Sequence, residues 1–106
     1  MNIRWLDSAE EDLTNFVRFE GKIFGPDVAV QVFEEIMSRV DDLLEFPYLG
    51  TLEPSYRYHN LDIRVLHEWH TRVYYTISDE EIVVVVLFWD NRRDDKLIES
   101  AIITAL

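Results

Sequence analysis

A chain of 106 residues with 21 acids, 10 bases and no cysteine fits one domain over residues 1–106. It excludes disulfides, thiolate catalysis and cysteine-ligated zinc or iron–sulfur centres. A net charge of −11 repels nucleic acid and anionic membrane, so direct nucleic-acid binding is not expected to be strong. The longest apolar run, Ile82–Trp89, falls far short of the ~20 residues of a membrane helix, and the acidic start MNIRWLDSAEED lacks a signal peptide's apolar core. A cytoplasmic chain with no membrane role is expected.

Asn2–Leu6 reads as a first strand. Ser8 with Glu11 three residues on reads as a capping box opening a helix, whose apolar stripe runs through Leu13, Phe16 and Val17 with Glu20 at the same spacing. Gly25-Pro26 breaks it, with Pro26 suited to the first turn of a second helix. Ala29, Val32, Phe33, Ile36, Met37, Val40, Leu43 and Leu44 form that helix's apolar stripe, and Phe46-Pro47 ends it. Tyr48–Tyr58, with Pro47, Gly50 and Pro54 in or beside it, reads as a loop.

The period then changes from helix to strand. Leu61, Ile63, Val65 and His67 alternate with Asp62, Arg64, Leu66 and Glu68, Trp69-His70 makes a tight connection, and Thr71–Ile77 is rich in aromatic and β-branched residues. After the turn Ser78-Asp79-Glu80, Ile82–Trp89 is apolar on both faces, as a centrally placed strand would be. Leu97, Ile98, Ala101, Ile102, Ala105 and Leu106 recur at helical spacing to the end. The order strand, helix, helix, three-stranded meander, short helix predicts an α+β fold of a helical pair on a sheet.

The charge is uneven. Residues 1–53 carry −8 and residues 54–106 carry −3, and Arg57, Arg64 and Arg72 outweigh Asp62 and Glu68 between 57 and 73. Any anion site therefore belongs in the second half. RNA cleavage by 2′-hydroxyl attack needs a base, a cation at the phosphate and an acid. Arg64, Arg72 and Arg92 are the candidate clamps, with His67 or His70 as acid or base and Tyr75 as a donor. The alternative is that Arg92 and Arg93 form surface ion pairs with Asp90, Asp94 or Asp95. His67 and Glu68 face opposite ways on a strand, so no metal site is expected, and no motif calls for a cofactor.

Trp5-Leu6 with Ala9, Asp12 and Leu13, the run Leu43-Leu44-Glu45-Phe46-Pro47-Tyr48-Leu49-Gly50, Arg72-Val73-Tyr74-Tyr75, and Phe88-Trp89-Asp90-Asn91-Arg92-Arg93-Asp94 together resemble the RelE/ParE toxins of type II toxin–antitoxin (plasmid stabilisation) modules. The resemblance implies a RelE-like two-layer fold: a two-helix hairpin on an antiparallel sheet with the first strand beside the last. It also implies a cognate antitoxin as partner. RelE-like members cleave mRNA on the ribosome, and Arg64, Arg72 and Arg92 fall where those members place strand cations. ParE-like members inhibit DNA gyrase. The late Tyr or His of many ribonuclease members has no counterpart after Arg93, and the only lysines are Lys22 and Lys96. The acidic charge ranks gyrase targeting ahead of ribonuclease activity, with a non-toxic partner-binding scaffold as the third reading. The terminal helix, through Leu97, Ile98, Ala101 and Ile102, is the candidate antitoxin-binding element, either docked on its own domain or displaced.

Overall fold

The computed structural model describes residues 1–79 and 82–105. Its elements are β1 (Asn2–Trp5), α1 (Asp7–Phe24), α2 (Pro26–Asp41), β2 (Thr51–Tyr58), β3 (Leu61–Glu68), β4 (Thr71–Ser78), β5 (Ile82–Asp90) and α3 (Ile98–Thr104). Single 3₁₀ turns occupy Asp42–Leu44 and Asp95–Leu97. The sheet runs β1-β5-β4-β3-β2, with β1 parallel to β5 and the other neighbours antiparallel. The α+β architecture, the helical hairpin, the first strand beside the last long one and the short terminal helix all match expectation. Glu80 of the anticipated turn and Leu106 of the terminal stripe lie outside the described residues.

Two local readings are corrected. Ser8 does not cap α1: Leu6 occupies that place without a side-chain cap bond. The reason is that β1 pairing continues through Leu6 N–H to the Val85 carbonyl (3.0 Å), while the Leu6 carbonyl accepts from Glu10 N–H (3.0 Å) and so closes the first turn. The segment expected to be a loop contains β2, so the meander has four strands. Pro54 and a register break between Glu53 and Arg57 interrupt its alternation, which an edge strand tolerates. β5 is buried on both faces and lies inside the sheet, between β1 and β4, as its apolar run implies.

Gly25, at φ 100°, joins α1 to α2 in a conformation closed to side chains, and its N–H bonds the Gly21 carbonyl (2.9 Å). The hairpin buries Ala9, Leu13, Phe16, Val32, Ile36 and Val40 against Leu66, Val73, Tyr75, Val83, Val85 and Phe88. The opposite face of the sheet forms a second core: Ile63, Val65, Tyr74, Val84, Val86, Leu87 and Trp89 beneath Ile98 and Ile102 of α3. Fully burying each such aliphatic side chain contributes roughly 1.5–3 kcal/mol.

A bulge decides which residues enter which core. Tyr74 pairs with Leu87 but Tyr75 with Val85, so Val86 is the extra residue. Beyond it the sidedness of β5 reverses. Phe88 therefore meets Phe16 edge-on (centroids 5.5 Å apart), and Trp89 turns under α3.

Candidate functional site

The three arginines singled out in the sequence do not converge. Arg64 stands opposite Tyr75 and Arg72 opposite His67 across the β3–β4 ladder. That register puts Arg64 on the helix side of the sheet and Arg72 on the α3 side. Arg92 lies past the Asp90 end of β5, over the Phe16 and Phe19 rings of α1 at 5.9 and 5.3 Å. The sheet therefore stands between the Arg64 and Arg72 side chains.

Each arginine is also engaged by its own surroundings. Arg64 Nη1 donates to the Gly50 carbonyl (2.8 Å) and, more weakly, to the Tyr48 carbonyl (3.4 Å), with its guanidinium 5.0 Å over the Tyr48 ring. Arg72 holds Asp95 through Nη2 (2.6 Å), Asn91 through Nε (2.8 Å) and the Tyr74 hydroxyl through Nη1 (3.1 Å). Although burial pulls its pKa down, these bonds raise it beyond the ordinary arginine value, so it stays charged. Arg92 donates to Asp90 (2.7 Å) and reaches Glu20 (3.0 Å), a carboxylate otherwise buried in α1. Glu20 sits on the apolar stripe of α1, so the pattern marked its burial but not its partner.

The remaining candidate groups fit the same picture. The Tyr75 hydroxyl is not free to meet a substrate: it donates to the Pro47 carbonyl and accepts from Gly50 N–H, both at 2.8 Å. Burial raises the pKa of Tyr74 and of Tyr75, so neither serves as a base near neutrality. His67 is exposed on the Arg72 side, and His70 stands in the β3–β4 turn with Trp69, both at positive φ (33° and 48°). Among the described residues, no three His, Asp or Glu side chains gather as metal ligands.

The expected ion pairs are redistributed. Arg92 takes Asp90, as anticipated. Asp95 instead pairs with Arg72, and Asp94 accepts from Lys96 N–H (3.0 Å) to cap the 3₁₀ turn. The Arg93 guanidinium lies over the Trp89 ring, its carbon 4.0 Å from the ring centroid. Asp12, whose carboxyl burial pushes up while Arg93 pulls it back, lines a cleft of about 290 Å³ with Phe16, Phe88 and Asp90.

The terminal helix divides in two. Ile98 and Ile102 are buried in the second core, while Leu97 is half exposed. Leu97 and Ala101 line a shallow groove of about 360 Å³ between α3 and the start of α1. Beneath α3 the Trp89 indole N–H is buried and lacks an acceptor among the described residues.

This geometry has known counterparts. The family described as ParE toxin of type II toxin-antitoxin system, parDE, matches residues 3–95. A chain from the solved structure of the chromosomal ParDE TA system from P. aeruginosa superposes with a TM-score of 0.69 at 18% identity, covering 85% of this chain and 95% of that one. At that identity the likeness is one of fold. No curated protein matches in sequence.

Proposed function

The chain belongs to the ParE toxin family of type II toxin–antitoxin systems, and from that premise we propose that it halts growth by binding DNA gyrase, with a cognate antitoxin silencing it. The observation that carries this reading over RNA cleavage is the separate engagement of Arg64 and Arg72 on opposite faces of the sheet and of Arg92 beyond the end of β5. In-line phosphoryl chemistry needs a cation, a base and an acid within hydrogen-bond reach of one phosphate. Here two of the three arginines are neutralised by carboxylates, and the third is held by backbone carbonyls.

The antitoxin lies along the Leu97–Ala101 groove or displaces α3 from the sheet. An amphipathic segment replacing α3 would bury the same apolar face with more area. The Trp89 N–H, buried with no acceptor among the described residues, supports exchange, because a buried donor without an acceptor costs about 1–3 kcal/mol.

The experiment is a pair of assays on the purified protein: supercoiling of relaxed plasmid by DNA gyrase, and translation with the mRNA recovered for cleavage mapping. Inhibited supercoiling with intact mRNA is the expected result. Cleaved mRNA that becomes intact in Arg72→Ala or Arg92→Ala, with the variants folded, would replace this reading by the ribonuclease one. Silence in both assays leaves a partner-binding scaffold.

A further inference from the structure

The corner between α2 and β2 is built unlike the rest of the surface. From Asp41 to Glu53 the sequence has four acids and no base. Within the same stretch Leu44, Phe46, Tyr48, Leu49 and Leu52 all stand exposed, Phe46 and Tyr48 by 59% and 63%. Scattered apolar residues on a surface need no explanation, but five within nine positions of one chain turn do.

The corner is also held rigid from below. The buried Tyr75 hydroxyl bridges Pro47 and Gly50, and Arg64 donates to Gly50 and lies against the Tyr48 ring. Gly50 is packed so closely that a Cβ there would stand 2.6 Å from Tyr75 Cε1. Two side chains from the sheet therefore fix a loop whose own side chains face water. Rigid aromatic anchors displayed this way lose little freedom on binding, which is what an interaction surface needs.

Charge identifies the occupant. Asp41, Asp42 and Glu45 are exposed around the apolar centre, with Glu53 half-buried beside it. Of the cations beside the corner, Arg39 already faces Asp42 and Glu68 at 3.7 and 3.9 Å, and Arg64 is engaged by the loop itself. A second copy would bring the same acids, and its own −11, against this rim. We propose that the α2–β2 corner is a docking surface for a protein segment that carries apolar side chains flanked by lysine or arginine. The inference does not depend on which cellular target the toxin inhibits.

The test is a titration of the folded protein with short synthetic peptides, read by backbone amide NMR shifts. One peptide alternates leucine and lysine, a second has glutamate for every lysine, and a third has serine for every leucine. The leucine–lysine peptide should shift residues 44–52, bind more weakly as salt rises, and lose about tenfold in affinity with Phe46→Ser or Glu45→Lys, a change of about 1.4 kcal/mol. Tyr75→Phe, which frees the loop but keeps its surface, should also weaken binding. Shifts confined to other elements, equal binding by the glutamate or serine peptide, or self-association through this corner would each overturn the proposal. Gyrase inhibition is scored separately, so neither result decides the other.

Discussion

Gly50→Ala tests whether the α2–β2 corner is as tightly built as its contacts imply. A methyl there would sit 2.6 Å from Tyr75 Cε1, 2.7 Å from Tyr75 Oη and 2.9 Å from the Val65 carbonyl. The carbonyl belongs to the β3 ladder and cannot retreat without breaking sheet pairing, so the loop or the tyrosine ring must move by about 1 Å to regain ordinary contact. Overpacking of this kind costs about 1–3 kcal/mol. Displacing the ring also loosens the hydrogen bonds to Pro47 and Gly50, each worth about 1 kcal/mol net. The expected loss is about 3–5 kcal/mol, a large part of the total stability of a small domain. Urea unfolding followed by tryptophan fluorescence should show a lower midpoint with an unchanged slope, and Tm should fall by at least about 10 °C. Combining it with Tyr75→Phe should cost less than the two separate losses, because both act on one contact. A Gly50→Ala protein within about 0.5 kcal/mol of the parent would refute the claim that the corner is rigid.

Removing Arg92 strands a buried carboxylate, so Arg92→Ala should cost about 1–3 kcal/mol, and adding Glu20→Gln should recover much of it; no recovery in chemical denaturation would mean that the pair is not the cause. Burial pushes the Asp90 carboxyl up, but hydrogen bonds from Arg92 outweigh it and hold the pKa below the ordinary value; the Asp95 pKa is held down chiefly by its hydrogen bond from Arg72. Both therefore contribute stability that is fully present above about pH 4 and lost as pH falls through their lower folded values, and Arg72→Met should flatten that acid limb in a series of melting curves. Asp12 has the opposite sign: burial raises its folded pKa, so its ionisation opposes folding, and Asp12→Asn should hold or raise Tm at pH 7. Replacing Trp69-His70 by Asn-Gly, which accepts positive φ at both places, should add about 1–2 kcal/mol; a loss instead would show that the aromatic pair stabilises the turn.

The large elements were legible because their apolar residues keep a period. Leu13, Phe16 and Glu20, then Val32, Ile36 and Val40, fall at helical steps and are buried as read. β2 is not legible in the sequence because Pro54 and a register break erase its alternation, and an edge strand with one neighbour leaves a weak apolar signature. The resemblance points to the family whose model matches residues 3–95, but it does not say where each arginine points. Adjacent strands allow Arg64 and Arg72 to gather at one sheet edge, but the ladder sets Arg64 opposite Tyr75 and Arg72 opposite His67, on opposite faces. The bulge at Val86 was hidden inside an unbroken apolar run, where every residue suits either core. Asp95 looked available to Arg92 or Arg93 in sequence, and only the 3₁₀ turn after β5 carries it back to Arg72.

The parallel pairing of β1 with β5 joins Asn2–Trp5 to Ile82–Val85, across most of the chain. During synthesis the first strand and both helices leave the ribosome long before their sheet neighbour exists. Neither β1 nor the apolar face of the hairpin has its full complement until residues 82–88 emerge. Chains cut short before β5 cannot close the sheet, so interrupted translation yields fragments without the assembled fold. Completeness of the chain is thereby checked by topology: the sheet cannot close until β5 has been made.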